Sequence, residues 1–277
     1  MAHVLMAAAI AAASIAPADH YPAPAAHVSP RMPDAHPALW VVNDADTVIY
    51  LFGTFHALDG KSDWFNDEVK TAFAASDQLV LETIVPEGPQ PAPPRPLTFD
   101  RPSGPNLAVS PNASFLASTR LAISAGRARG MKAANGADMI LRRAAEASGK
   151  PVEGLESFEY QLNMFSRIPQ QPTPSVRAAQ DVSSVGNLAI VMGQLQAAWN
   201  RGDPEIFTAM LDQMRTNSPE SYSVMFVQRN TNWANWIARR LQSPGTVFVA
   251  VGTGHLAGPD SVQAKLAQLG VHSARIN

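Results

Sequence analysis

Two histidines close nearly identical segments at distant positions of this sequence. Residues 47–60 read TVIYLFGTFHALDG and residues 246–258 read TVFVAVGTGHLAG. Each segment is an apolar run, rich in β-branched residues, that stops at Gly-Thr-x-His. The matched residues are Gly53, Thr54 and His56 in the first copy and Gly252, Thr253 and His255 in the second. One histidine after a strand is ordinarily structural, but two copies of the motif favour a shared functional site.

Metal binding is one chemistry that this pair of histidines can support. Neutral imidazole is a common metal ligand, the preceding glycine lets a ligand approach the backbone, and the threonine two residues earlier is placed to orient the ring or a bound water. The chain has no cysteine, so a third ligand must be a carboxylate. Glu82, which ends the strand-like QLVLET, is the first candidate, and Glu156 in EGLES is the second. We therefore predict a divalent-metal site (Mn, Co or Zn) of His56, His255 and Glu82; a solvent-facing Glu82 is the alternative.

An arginine in an apolar segment is a further candidate for the site. The segment YSVMFVQRNTNWANWIARR, residues 222–240, has helical periodicity and carries Arg229 and Asn230. Because Arg229 follows an apolar stretch, we expect it to turn inward and pair with Glu82, Glu156 or a substrate anion. The alternative is an arginine on the surface.

The pattern of secondary structure predicts an α/β fold whose sheet joins the two ends of the chain. Strands are predicted in a hairpin from Leu39 to Gly53 and at 77–83, 151–157, 246–251 and 271–277. Helices are predicted at 63–75, with Asp63 as N-cap, around 131–148, at 158–167 and 174–200, twice between 204 and 241, and at 259–269. The sheet is thus built from N- and C-terminal β-α-β segments around a large helical insertion. Loops after parallel strands meet at one sheet edge, where ligands usually bind.

The chain divides into an export-like start, a leader and one folded region. Residues 1–18 have the short apolar core and small-residue site of a signal peptide, without a Lys or Arg before it; a disordered tail or a misassigned start is the alternative. Residues 19–37 are predicted as a disordered Pro/Ala-rich leader, and 38–277 as a single domain in which 86–111 form a Pro-rich loop and 113–242 are mainly helical. We expect a periplasmic or secreted protein.

Composition excludes several classes of protein. The net charge is -2 and no stripe of Lys and Arg occurs, so we expect no nucleic-acid partner. The lack of cysteine excludes disulfides, thiolate metal sites and a cysteine nucleophile. No other apolar stretch is long enough for a bilayer, so we expect no membrane span. Nucleophile-elbow, Walker, dinucleotide-binding and His-Glu-x-x-His motifs do not occur, and the sequence carries no signal for oligomeric state.

Six segments together resemble the TraB/PrgY/GumN family over roughly residues 38–277: LWVVNDADTVIYLFGTFHAL, LVLET, KPVEGLESFEYQL, QAAWNRGDPE, QRNTNWANWI and VFVAVGTGHLAGPDSV. That family is related to the TIKI metalloproteases, whose hallmark is a pair of Gly-x-x-His motifs. The resemblance implies a metal site of His56, His255 and Glu82. It also implies that Glu156, Arg229 and Asn230 line that site. One departure is Ala137 before Asp138, where the family has Gly-Val/Leu-Asp.

The sequence and this resemblance favour a divalent-metal-dependent, peptidase-like hydrolase. A metal-bound water would attack the substrate, Glu156 (or Glu82 if it is not a ligand) would act as general base, and Arg229 would stabilise the oxyanion. The expected substrate is a peptide or another small extracytoplasmic compound. Two alternatives remain: a non-catalytic protein that sequesters a peptide or envelope component, and a metal-independent, esterase-like hydrolase with histidine as base. A more distant resemblance to erythromycin esterases suggests the latter.

Overall fold

The computed structural model describes residues 32–86, 123–167 and 182–277. In these residues six strands form one sheet: β1 (Leu39–Asn43), β2 (Thr47–Thr54), β3 (Gln78–Thr83), β4 (Val152–Glu156), β5 (Gly245–Gly252) and β6 (Ala274–Arg275). The strand order is β4-β3-β5-β2-β1-β6. The strands β4, β3, β5 and β2 are parallel to one another, and β1 pairs antiparallel with both β2 and β6.

The centre of the sheet joins the two ends of the chain, as the sequence predicted. Strands β2 and β5 lie side by side from the pair Thr47 and Gly245 to the pair Thr54 and Gly252. Parallel neighbours end at the same sheet edge, so the two Gly-Thr-x-His motifs emerge together. The predicted hairpin of β1 and β2 is also confirmed.

Eight helices accompany the sheet in the described ranges: α1 (Asp67–Ala75), α2 (Ala137–Ala147), α3 (Phe158–Arg167), α4 (Val182–Asn200), α5 (Glu205–Asn217), α6 (Pro219–Tyr222), α7 (Gln228–Arg240) and α8 (Val262–Gln268). Residues 123–128 are also helical. Short 3₁₀ turns lie at Ala133–Asn135 and Thr253–Leu256, and a π-helical turn at Ser223–Val227 joins α6 to α7. The α/β class and the helical insertion are therefore confirmed.

Apolar side chains cover both faces of the sheet, which explains the nearly continuous apolar runs of β2 and β5. One face packs a cluster that includes Phe52, Phe248, Trp64, Trp199 and Leu141. The opposite face packs a cluster that includes Leu51, Val249, Trp233, Ile237 and Leu266. Successive residues of each strand alternate between the two clusters. This double covering fixes the sheet rigidly beneath the edge at which the motifs end.

Several element boundaries differ from the prediction. Helix α1 starts after Asn66, and Asp63 is not its N-cap, because Trp64 fills the core in a non-helical conformation. Helix α8 starts after Ser261, whose hydroxyl accepts from the N–H of Ala264 at 3.3 Å, and not at residue 259. The helix expected around 131–148 is divided into a 3₁₀ turn and α2.

The predicted domain limits are only partly within the described residues. The signal peptide (1–18), most of the leader (19–37) and nearly all of the Pro-rich loop (86–111) lie outside them. Contacts with the domain begin before residue 38: Ala35 is buried, and its N–H donates to the carbonyl of Asp63 at 3.0 Å. Among the described helices, none is long and apolar enough to cross a bilayer.

Candidate functional site

The two Gly-Thr-x-His motifs touch each other where β2 and β5 end. A Cβ added to Gly53 would lie 2.9 Å from Thr253 Oγ1. A Cβ added to Gly252 would lie 3.0 Å from Glu82 Oε1 and 3.3 Å from His56 Nε2. Both positions therefore require glycine because of close approach. The same contacts bring His56 and Glu82 to one point of the sheet edge.

The substitution Gly252→Ala is expected to lower the free energy of unfolding by about 1–3 kcal/mol, because the added methyl group overpacks this junction. Glu82 cannot move aside, since Oε1 accepts from the Gly252 N–H and Oε2 accepts from Arg229. The control is Gly186→Ala in α4, where no described atom lies within 4 Å of an added Cβ. Denaturant unfolding of both variants measures the difference. A Gly252→Ala protein as stable as the control would contradict the contact.

The two motif threonines do not orient the histidine rings in the described residues. Thr54 is 2% exposed, and its Oγ1 has no hydrogen-bond partner there. Thr253 instead packs its hydroxyl over Gly53. The histidines must therefore be oriented by other groups.

Arg229 lies at the centre of the site and is 4% exposed. Its Nη2 donates to Glu82 Oε2 at 2.8 Å and to Glu156 Oε2 at 2.9 Å, and its Nε donates to Glu156 Oε1 at 2.9 Å. Its Nη1 donates to the Met225 carbonyl at 3.4 Å and lies 3.0 Å from His255 Nε2. All five N–H groups of the guanidinium are thus engaged inside the protein. Arg229 is turned inward and contacts both candidate carboxylates.

Glu156 lies behind Arg229 and does not line the cleft that opens at the site. Its Oε1 also accepts from Trp233 Nε1 at 3.1 Å, and only 7% of its side chain is exposed. Both carboxylate oxygens are therefore occupied by internal donors. This position suits an anchor for Arg229 and does not fit the role of general base that the sequence suggested.

His255 is buried between two aromatic rings. Its ring centroid lies 4.9 Å from that of Phe226 and 4.5 Å from that of Trp233. Burial lowers the pKa of His255 to about 3, with the Glu82 charge opposing this effect and the Arg229 charge adding to it. The imidazole is therefore neutral at physiological pH.

Asn230 fixes the tautomer of His255. The Asn230 Nδ2 donates to the Asp260 carbonyl at 2.7 Å, so its Oδ1 faces the ring and must accept. His255 Nδ1 lies 2.6 Å from that oxygen and is thus the protonated nitrogen. The Nε2 lone pair then accepts from Arg229. Adjacent residues of one helix therefore hold the two nitrogens of the same ring, which places Asn230 as an orienting residue.

His56, in contrast, faces the cleft with 64% of its side chain exposed. Its Nδ1 lies 3.3 Å from Asp138 Oδ1, in the first turn of α2. Desolvation lowers the pKa of His56, but the hydrogen bond and charge of Asp138 and the charge of Glu82 outweigh it and raise the pKa to about 9. Solvent screens part of this pairing because the ring is exposed. His56 is the accessible basic group of the site.

The start of α2 is pressed against the backbone of His56. A Cβ on Gly136 would lie 2.3 Å from the His56 carbonyl oxygen, and the N–H of Ala137 donates to the Phe55 carbonyl at 3.0 Å. This close packing places Asp138 beside the imidazole ring of His56. Asp138 is not among the site residues predicted from the sequence; the available signal was an acidic residue in the first helical turn after Gly136.

Glu82 is ionised in this environment. Burial by itself raises its pKa, but the neighbouring His255, Arg229 and His56 and the N–H of Gly252 lower it to about 2. Its folded-state pKa lies below the value of 4.5 for a free carboxyl. The ionised form of Glu82 therefore stabilises the folded state fully above pH 4.5, and this stabilisation is lost as the pH falls towards 2.

The site opens on a cleft of about 700 Å³. His56, Glu82, Asp138, Arg229 and His255 all line it, whereas Glu156 and Asn230 do not. The remaining lining is largely apolar. This volume lies within the usual range for sites that bind small molecules.

The arrangement does not fit the three-ligand metal site expected from His56, His255 and Glu82. The Nε2 lone pair of His255 already accepts from Arg229, whose positive charge also pairs with Glu82. Within residues 32–86, 123–167 and 182–277, no three His, Asp or Glu side chains are placed to hold an ion together. Binding of Mn, Co or Zn stays a prediction.

Comparison with known proteins agrees with the resemblance in the sequence. Residues 38–93 and 103–275 match the TraB/PrgY/gumN family. The chain is 30% identical over 138 residues to the uncharacterized protein YbaP of Escherichia coli (strain K12), and equally to that of Shigella flexneri. Each match covers 50% of this chain and 50% of the relative, so it spans half of the length of these curated proteins. No solved structure matches. Because the family match covers most of the sequence, this chain belongs to the TraB/PrgY/gumN family.

Proposed function

We propose that this protein is a hydrolase in which His56 acts as general base without a metal ion. The observation that carries the proposal is the pairing of an exposed His56 with Asp138 on the wall of the cleft. A general base needs access to the substrate, a fixed orientation and sufficient basicity, and this pair supplies all three. The substrate would be a peptide or another small extracytoplasmic compound.

The proposed reaction needs only a water molecule and one proton carrier. Asp138 Oδ1 lies 3.3 Å from His56 Nδ1, and its charge favours a proton on that nitrogen, while His56 Nε2 lies near Gly252 and Glu82. His56 Nε2 takes a proton as the water oxygen attacks the substrate carbonyl carbon. The bond to the leaving group then breaks, and His56 returns the proton to that group. The products are a carboxylic acid and an alcohol or amine.

The buried residues act in this scheme by positioning and by charge. All N–H groups of Arg229 are engaged, so it holds Glu82 and His255 in place and does not contact the oxyanion. The negative charges of Glu82 and Asp138 stabilise the imidazolium that forms on His56. This stabilisation supports proton transfer from water.

Hydrolysis of p-nitrophenyl acetate by the full chain, followed between about pH 6 and 10, tests the proposal. Because His56 must lose its proton to act as base, the rate is expected to rise with pH, with a midpoint on the alkaline side of 6.5. Addition of EDTA should leave the rate unchanged. The substitution Asp138→Asn removes a charge that raises the pKa of His56, so it should move the midpoint to lower pH.

Other outcomes would favour the alternatives from the sequence. Loss of turnover in EDTA, with recovery on adding Mn²⁺, Co²⁺ or Zn²⁺, would support the metal-dependent hydrolase. Saturable binding of a peptide without any turnover would support the sequestering protein. A rate that declines as the pH rises would contradict His56 as the base.

A further inference from the structure

One wall of the cleft is lined by apolar side chains that range from the buried Phe207 to the exposed Met210. Helix α5 contributes Phe207 and Met210, and the π-helical turn contributes Met225 and Phe226. Met210 is 44% exposed. Large apolar side chains that stay exposed beside a reactive group are the usual signature of a surface that buries part of a ligand.

Further apolar side chains line the cleft beside several polar ones such as Thr83 and Gln161. Leu81, Val85 and Met139 also line the cleft, and Val85 is 44% exposed. Three of the apolar residues are methionines, whose unbranched, polarisable side chains adapt to ligands of different shape. The cleft is therefore suited to a flexible apolar chain.

Each described charged side chain that lines the cleft is already paired with another side chain, so a charged group of a ligand would find no free partner there. Glu82 pairs with Arg229, and Asp138 pairs with His56, all at the end that carries the proposed chemistry. Arg142, in α2, pairs with Glu146 at 2.7 Å and donates to the Val85 carbonyl at 2.9 Å. A charged group entering the apolar part would lose its hydration without gaining a partner.

From these observations we infer that the substrate carries an uncharged apolar chain next to the scissile carbonyl, an inference that rests on the proposed function. The chain lies against Met210 and Met225 while the carbonyl lies beside His56. Both an acyl chain and the side chains of an apolar peptide have this chemistry.

A series of p-nitrophenyl esters from acetate to dodecanoate tests the inference on the full chain. Each buried methylene is expected to raise kcat/KM about three- to fourfold until the cleft is filled. The hemisuccinate ester, which carries a charge, should be hydrolysed more slowly than the uncharged ester of equal length. Octanoyl p-nitroanilide and acetyl-Leu-Leu-Leu p-nitroanilide share a leaving group, so their rates distinguish an acyl chain from a peptide.

The variant Met210→Gln keeps the length of the side chain but makes it polar, and because Met210 is exposed the substitution leaves the core of the domain intact. It is expected to lower the ratio of kcat/KM for octanoate to that for acetate by about threefold or more. The matched control is Leu269→Gln, at a residue that is 48% exposed and does not line the cleft. The control should leave this ratio unchanged.

Binding of the neutral dye N-phenylnaphthylamine gives a readout that does not need turnover. If the dye binds and Met210→Gln weakens its binding, although no ester is hydrolysed, that result would support an apolar ligand and contradict the proposed hydrolase. Equal rates for all chain lengths, or preference for the charged ester, would overturn the apolar substrate while leaving the hydrolase intact. Absence of both turnover and dye binding would overturn the inference.

Discussion

Replacing His56 with glutamine is expected to lower kcat by about 10²- to 10⁴-fold, the usual contribution of a general base. Glutamine fills similar space and retains hydrogen bonding, but it cannot accept the proton of the attacking water. Because His56 is exposed, the free energy of unfolding should change little. Steady-state hydrolysis of the best p-nitrophenyl ester, together with denaturant unfolding, measures both quantities.

The other histidines of the fold serve as controls for this result. His272→Gln changes an exposed residue that does not line the cleft and should leave kcat unchanged. His255→Gln removes a buried acceptor of Arg229, so it should lower both stability and activity. A His56→Gln enzyme that retains full kcat would exclude His56 as the base, whatever the substrate.

The largest loss of stability is expected from Arg229→Met, at about 3–5 kcal/mol of unfolding free energy. This variant leaves Glu82 and Glu156 buried without the cation that pairs with both of them. The matched control is Arg239→Met, an exposed position on the same helix, which should change stability by no more than about 0.5 kcal/mol. Denaturant unfolding at neutral pH gives the comparison.

Two further measurements separate lost charge compensation from lost packing. The double variant Arg229→Met, Glu156→Gln removes one of the orphaned charges and should recover part of the stability. The difference in unfolding free energy between wild type and Arg229→Met should also become smaller as the pH falls below 4.5 towards 2. In this range Glu82 of the wild type loses its favourable pairing with Arg229. A loss of less than about 1 kcal/mol, independent of pH, would show that the ion pairs contribute little.

The sequence predicted the sheet well because local pattern and turn chemistry agreed there. Nearly continuous apolar runs define β2 and β5, and two parallel neighbours of this kind end at the same edge of the sheet. The inward position of Arg229 was also predictable, since an arginine that directly follows an apolar stretch needs a partner if it is buried. These features depend on local sequence and on the general rules of α/β sheets.

The parts that the sequence did not predict depend on contacts between distant elements. Asp138 reaches His56 only because Gly136 lets α2 dock against the backbone of the first motif. Glu156 accepts from Trp233 as well as from Arg229, an arrangement that depends on residues distant in sequence. Asp63 is displaced as an N-cap by the packing of Trp64. No local pattern contains this information, because each outcome is decided by tertiary packing.

Gly53 lies against Thr253, and Gly252 lies against His56. The geometry of the site therefore exists only when β2 and β5 are paired. At this junction each motif packs against atoms of the other. A ribosome-bound or partly folded chain that lacks β5 therefore has no competent site. Hydrolytic activity would consequently be detected only after β5 has paired with β2, and a fragment carrying either motif alone would be inactive.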